Sequence, residues 1–140
     1  MNMISRGIIK ADDWNVELSA NTSENELLSS ELKNDLGKLV HNGEFRSYYT
    51  SKYDVQGKSF VFRIYFESGV LKSVALSPVS GQPSWDAVEE AKLKQDKDDN
   101  DKWLLDKFSL KAPSSFTWGV LESVLDMKGG SSKIIMRFKH

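Results

Sequence analysis

Asp96-Lys97-Asp98-Asp99-Asn100-Asp101 is a dense group of ionisable side chains, with four carboxylates in six residues. Oxygen donors at that spacing resemble the first half of a calcium loop, where carboxylates and a carbonyl surround a hard cation. Such a loop also needs Gly at its sixth position for the sharp turn and a bidentate Glu at its twelfth. Asp101 and Lys107 stand at those positions, so the segment is not read as a cation site. Two readings remain. One is the solvated face of a helix. The other is an acidic docking surface for a basic partner, with Asp96, Asp98, Asp99 and Asp101 making the contacts.

Other chemistry is sparse. His41 and His140 are the only histidines, and neither has an orienting partner within sequence reach, which a catalytic or metal-bound imidazole requires. No Gly-x-Ser-x-Gly elbow is present. Gly129-Gly130-Ser131-Ser132 lacks the Lys and the spacing of a phosphate loop and reads as a turn. Glu89 and Glu90 are adjacent, so a helix points them about 100° apart, and they form no acid/base dyad. Without cysteine there is neither a disulfide scaffold nor a thiolate zinc site. The sequence therefore predicts no catalytic set, no metal and no cofactor. Tyr48, Tyr49, Tyr53 and Tyr65 lie among Arg46, Lys52, Lys58 and Arg63. Aromatic rings interleaved with cations on a sheet can stack single-stranded bases. The formal net charge of −1 argues against a broad nucleic-acid footprint, and an amphipathic strand explains the same residues.

The elements that would position these groups are legible from periodicity. At 140 residues, 39% hydrophobic and 28% charged, the chain reads as one globular domain over 1–140 with a core of its own. No run approaches the ~18 apolar residues of a membrane helix. The start Met1-Asn2-Met3-Ile4-Ser5-Arg6 has no apolar leader core, so a cytoplasmic protein is expected. Trp14, Val16 and Leu18 alternate with polar residues and predict a strand. Ser23-Glu24-Asn25-Glu26 is a capping box. It opens a helix expected over about 24–36, with Leu28, Leu32 and Leu36 on one face and Gly37 at its end.

Asn42-Gly43, Gln56-Gly57 and Ser68-Gly69 are turns that divide an antiparallel meander running to Pro78. Phe60, Phe62, Ile64 and Phe66 mark the buried face of one of its strands. A second helix is expected from Trp85 to Phe108, with Ser84 as N-cap. Lys94 to Lys102 carries no apolar residue, so that helix is either solvated there or broken in two. Strands from Phe116 to Leu125 and from Lys133 to Phe138 flank a turn at 127–131. The fold class is α+β: an antiparallel sheet of five to seven strands with two main helices on one face. The expected core is Trp14, Val16, Leu28, Leu32 and Leu36; Phe60, Phe62, Ile64 and Phe66; then Trp103, Leu104, Trp118, Val120, Ile134 and Met136.

A longer pattern runs through the second half. It comprises Phe66-Glu67-Ser68-Gly69-Val70-Leu71, Trp85 with Glu89-Glu90, Asn100-Asp101-Lys102-Trp103-Leu104, and Phe116-Thr117-Trp118-Gly119-Val120-Leu121-Glu122-Ser123-Val124. Gly130-Ser131-Ser132-Lys133-Ile134-Ile135 closes it. Over roughly 10–138 this resembles a family of small bacterial proteins without an assigned activity. Leu125 departs from the pattern, where Tyr is expected before the turn Asp. Members of that family are similar in size and composition to immunity partners of secreted bacterial toxins. The resemblance implies a non-enzymatic protein-binding module with a cognate toxin as partner. The alternative is a small-molecule-binding domain or enzyme with a pocket between the sheet and the helices.

Overall fold

The computed structural model describes residues 2–79, 88–127 and 130–140. Seven strands form one antiparallel sheet in the order β1-β2-β3-β4-β7-β6-β5. The first four are the meander: β1 (Gly37–Asn42), β2 (Phe45–Val55), β3 (Lys58–Glu67) and β4 (Val70–Pro78). Their turns are built where the sequence expects them. Gln56-Gly57 and Ser68-Gly69 each hold two consecutive residues at positive φ, the backbone of a tight hairpin turn whose twist matches the strands. β5 (Ser114–Phe116), β6 (Gly119–Asp126) and β7 (Ser131–Phe138) complete the sheet, and β7 returns to pair with β4. The strand count lies at the top of the expected range, and the class is α+β.

The first expected helix is mostly absent. Ser23 caps α1 (Glu24–Leu28), its hydroxyl accepting from the Glu26 N–H at 3.1 Å. The helix stops after five residues because Ser29-Ser30 follow. The Ser30 hydroxyl donates to the Leu27 carbonyl at 2.6 Å and accepts from the Leu32 N–H at 3.2 Å. Such local bonds offer the backbone an alternative to the helix. A single 3₁₀ turn follows at Lys33–Asp35, and Gly37 opens β1 instead of closing a helix. Leu27 is therefore the buried leucine of α1, while Leu28 is only half-buried. The expected strand at 14–18 is also replaced. It keeps one bridge, Ile9 with Leu18. The Val16 N–H donates to the Glu31 carboxylate at 2.9 Å, so a side chain takes the place of a ladder partner.

The long helix α2 (Val88–Phe108) runs unbroken across its apolar-free stretch. Its expected start at Ser84 and Trp85 lies outside the described residues, as do Lys128 and Gly129 of the expected turn. Asn100, Trp103, Leu104 and Phe108 are its buried residues, spaced as one helical face, and the helix packs against β6 and β7. Ser109, at φ +56°, closes it, its N–H donating to the Leu105 carbonyl at 3.0 Å.

The core lies against one face of the sheet. Phe60, Phe62, Ile64 and Phe66 are all buried, as the alternation demands. Trp14 packs on Phe62 with centroids 4.6 Å apart, and Trp103 meets Phe60 edge-on at 4.9 Å. Trp103 is thus the aromatic side chain by which α2 meets β3. Val120 does not join the core. It pairs with Arg137 on the other face, and Leu121 is the residue turned inward. Ile4, Ile9, Leu18, Tyr48, Val55, Leu71, Val74 and Leu76 enter the core without having been expected there.

Candidate functional site

The acidic run winds around α2, and its carboxylates do not converge. Asp101 accepts from Lys97 at 2.8 Å, and Asp99 accepts from the Gln95 side-chain amide at 2.9 Å. Lys58, in the β2–β3 hairpin, lies within electrostatic reach of Asp96 and Asp99. Burial pushes its ammonium pKa down, and the two carboxylates pull it partly back. Asn100 turns inward, fully buried, with its amide donating to the Ser132 hydroxyl at 3.4 Å. Asp98 and Asp99 are exposed. Three of the four carboxylates therefore serve contacts inside the fold. Among the described residues, no group of three or more His, Asp or Glu side chains could hold a metal ion. No described helix is long and apolar enough to cross a membrane.

The four tyrosines separate by strand pleat. Tyr48 faces the core, 2% exposed, and donates to a Glu24 carboxylate oxygen at 2.5 Å. Burial, then the hydrogen bond to Glu24 and that group's charge, push its hydroxyl pKa up to about 12. Tyr53 also faces inward and donates to Asp35 at 2.7 Å. Burial would raise the Asp35 pKa, but hydrogen bonds from Tyr53 and from the Ser51 amide and hydroxyl outweigh it and hold the carboxyl low. This network ties the 3₁₀ turn to β2. Tyr49 and Tyr65 point to the opposite, outer face. Tyr49 is 44% exposed and lies across Gly37, the one residue on β1 without a side chain to block it.

That outer face carries three shallow depressions in series. The first, about 370 Å³, lies over Val40, Phe45, Ser47 and Tyr65, with Arg46, Glu67 and Lys72 around it. The second, about 250 Å³, shares Tyr65 and adds Ser73, Ala75, Lys133, Ile135 and Arg137. The third, about 350 Å³, shares Arg137 and runs over Phe116 and Val120 to Lys139. Register explains the alignment: Tyr65 pairs with Ser73, Ser73 with Arg137, and Arg137 with Val120. In a sheet these neighbours stand side by side on one face. Phe45 is 55% and Val40 50% exposed at one end of the series.

Charge is uneven along it. Arg46, Lys72, Lys133, Arg137 and Lys139 line the depressions against one carboxylate, Glu67. Lys72 lies 3.8 Å from Glu67, and Arg137 pairs with Glu122. Arg63, exposed beside Tyr49, and Lys133 enter no ion pair among the described residues. The period-two pattern Lys133, Ile135, Arg137 was visible in the sequence. The pairing of β7 with β4, which carries those residues beside Tyr65, was not.

The histidines hold structural positions. The His41 ring meets Tyr48 edge-on at 5.0 Å, and a His140 ring nitrogen lies 2.7 Å from the Leu71 carbonyl oxygen.

No protein-family model matches this chain, and no curated protein matches it in sequence. A solved structure does match in fold: Rhs1-CT in complex with cognate immunity protein RhsI1. The alignment has a TM-score of 0.60 and 13% identity, and covers 94% of this chain and 82% of that chain. The neighbour is the immunity protein of an Rhs toxin.

Proposed function

We propose that this chain is an immunity protein, which neutralises a bacterial toxin by binding it directly and performs no chemistry of its own. The observation that carries the reading is the fold likeness to an immunity protein bound to its cognate toxin, along nearly the whole chain. The outer sheet face supports it from physics. A broad surface of shallow, mixed apolar and charged depressions suits a protein partner, whereas small-molecule sites are concave and enclose most of their ligand.

The test asks whether a gene next to this one encodes a toxic domain, and expresses that domain alone and together with this chain; a neighbourhood without one would count against the reading. Growth arrest by the toxin alone, relief on co-expression, and a purified one-to-one complex are the expected results. A toxic domain that neither binds this chain nor is relieved by it would overturn the reading.

A further inference from the structure

We propose that the outer face of the sheet, centred on Tyr65, is a docking surface for an acidic segment of a partner protein. The inference rests on the immunity reading for the identity of that partner, a toxin. Its surface argument stands on the fold alone.

The charge pattern carries it. The whole chain has a net charge of −1, yet five cations line the three depressions against two carboxylates of the same face, Glu67 and Glu122. Arg46, Lys72 and Arg137 are ion-paired within the chain; among the described residues Lys133 and Lys139 are not. The face is thus a local reversal of the molecule's own sign, and it attracts the opposite charge over about a Debye length, ~10 Å at moderate salt. Between the cations the first and third depressions offer apolar surface, Val40 and Phe45 in the first and Phe116 and Val120 in the third, while Ala75 and Ile135 lie buried beneath the second. Alternating apolar floors and cationic walls match a protein segment that alternates apolar and acidic side chains. A phosphodiester strand carries its charge on every unit, and Glu67 and Glu122 on this face would repel it. Tyr65, shared by two depressions, and Arg137, shared by the next two, are the junctions such a segment must cross. An aromatic and an arginine at the centre are the residue types that carry most of the energy at protein interfaces. The acidic run on α2 offers less, because Asp96, Asp99 and Asp101 already serve contacts within this chain.

The test uses the intact, isotope-labelled protein and a short peptide of alternating Glu and Leu as probe, with oligo-dT as the competing polyanion. Backbone amide shifts are expected at Arg63, Tyr65, Ser73, Lys133 and Arg137, weakening as salt is raised. Arg63→Glu combined with Lys133→Glu should remove them. Should that pair fail to fold, Arg63→Gln with Lys133→Gln reads the same loss of charge. In the toxin complex the same substitutions should raise Kd by roughly tenfold or more. Shifts confined to α2, no shifts at all, or unchanged toxin affinity in the folded double variant would each overturn the proposal. Tighter binding of oligo-dT at the same residues would also overturn it, in favour of nucleic acid. If the toxin does not bind wild-type protein, the immunity reading fails, and the peptide titration alone decides the docking surface.

Discussion

Gly119 illustrates how one backbone position can govern a sheet. Its φ is +148°, and a Cβ at that position would lie 1.9 Å from the Arg137 carbonyl oxygen. That oxygen belongs to the paired strand, so relief requires β6 and β7 to part. Gly119→Ala should cost about 3 kcal/mol or more by urea unfolding, since backbone strain and a lost pairing add. Gly43 serves as control. It has φ +62°, and a methyl group there would meet nothing within 4 Å, so Gly43→Ala should cost only the left-handed strain of about 1–2 kcal/mol. Equal costs would refute the close approach. Tyr48 makes a prediction in pH. Its hydroxyl pKa is raised to about 12 from an ordinary 10.0, so the folded state favours the protonated form. That stabilisation is fully present below the unfolded value and is lost as pH rises from about 10 toward about 12. Tyr53 is shifted in the same direction and remains as background. The stability gap between wild type and Tyr48→Phe should therefore be about 1–2 kcal/mol near neutrality and shrink across that window. A gap independent of pH would mean that the hydroxyl titrates normally.

At the scale of elements, the meander was legible because each of its signals is local. Turn glycines, period-two alternation in β3 and the stop at Pro78 all act within a few residues. The helix over 24–36 misled because a leucine every four residues describes a face only if the helix continues. Ser29 and Ser30 end it through hydrogen bonds that periodicity does not register. The outer face was illegible for a different reason. Tyr65 and Arg137 are neighbours only through the β4–β7 pairing, a contact of long sequence separation that no local pattern encodes. In α2, continuity could not be read from a stretch without apolar residues. It is decided by Trp103, Leu104 and Phe108 at one end and by Asn100 seated under the helix. The Asn100 Oδ1 is buried without a hydrogen-bond partner, and its amide reaches Ser132 only at 3.4 Å. A poorly satisfied buried amide contributes little or costs energy. Asn100→Leu should consequently be neutral or stabilise the protein by about 1 kcal/mol in thermal and urea melts. A loss above about 2 kcal/mol would show that the amide is fully satisfied and fixes the helix on β7.

The molecule as a whole is electrostatically divided. Carboxylates ring the middle of α2, while the outer sheet face gathers cations between apolar floors. Its two charged surfaces give opposite expectations for association with a toxin, and rates separate them more cleanly than affinities, because steering acts on encounter. Suppose the acidic run is the docking surface. Changing Asp96, Asp98, Asp99 and Asp101 to Asn should then slow association at low salt and leave the high-salt rate nearly unchanged. The outer-face reading expects otherwise. The carboxylates of α2 lie on the opposite face of the sheet from Tyr65 and make none of the proposed contacts, so the quadruple variant should not associate more slowly than wild type. Arg63→Gln with Lys133→Gln should then be the slow one, with a shallower salt dependence. Neither variant should lose much stability. The Lys97–Asp101 pair is a half-buried i,i+4 contact along one helix, worth a few tenths of a kcal/mol, and Arg63 is exposed. The measurement is stopped-flow association of both variants and wild type at two ionic strengths, with melting temperatures alongside. A slow quadruple variant beside an unaffected outer-face variant would move the docking surface to α2. A large fall in its melting temperature would instead assign the carboxylates to holding the helix in place.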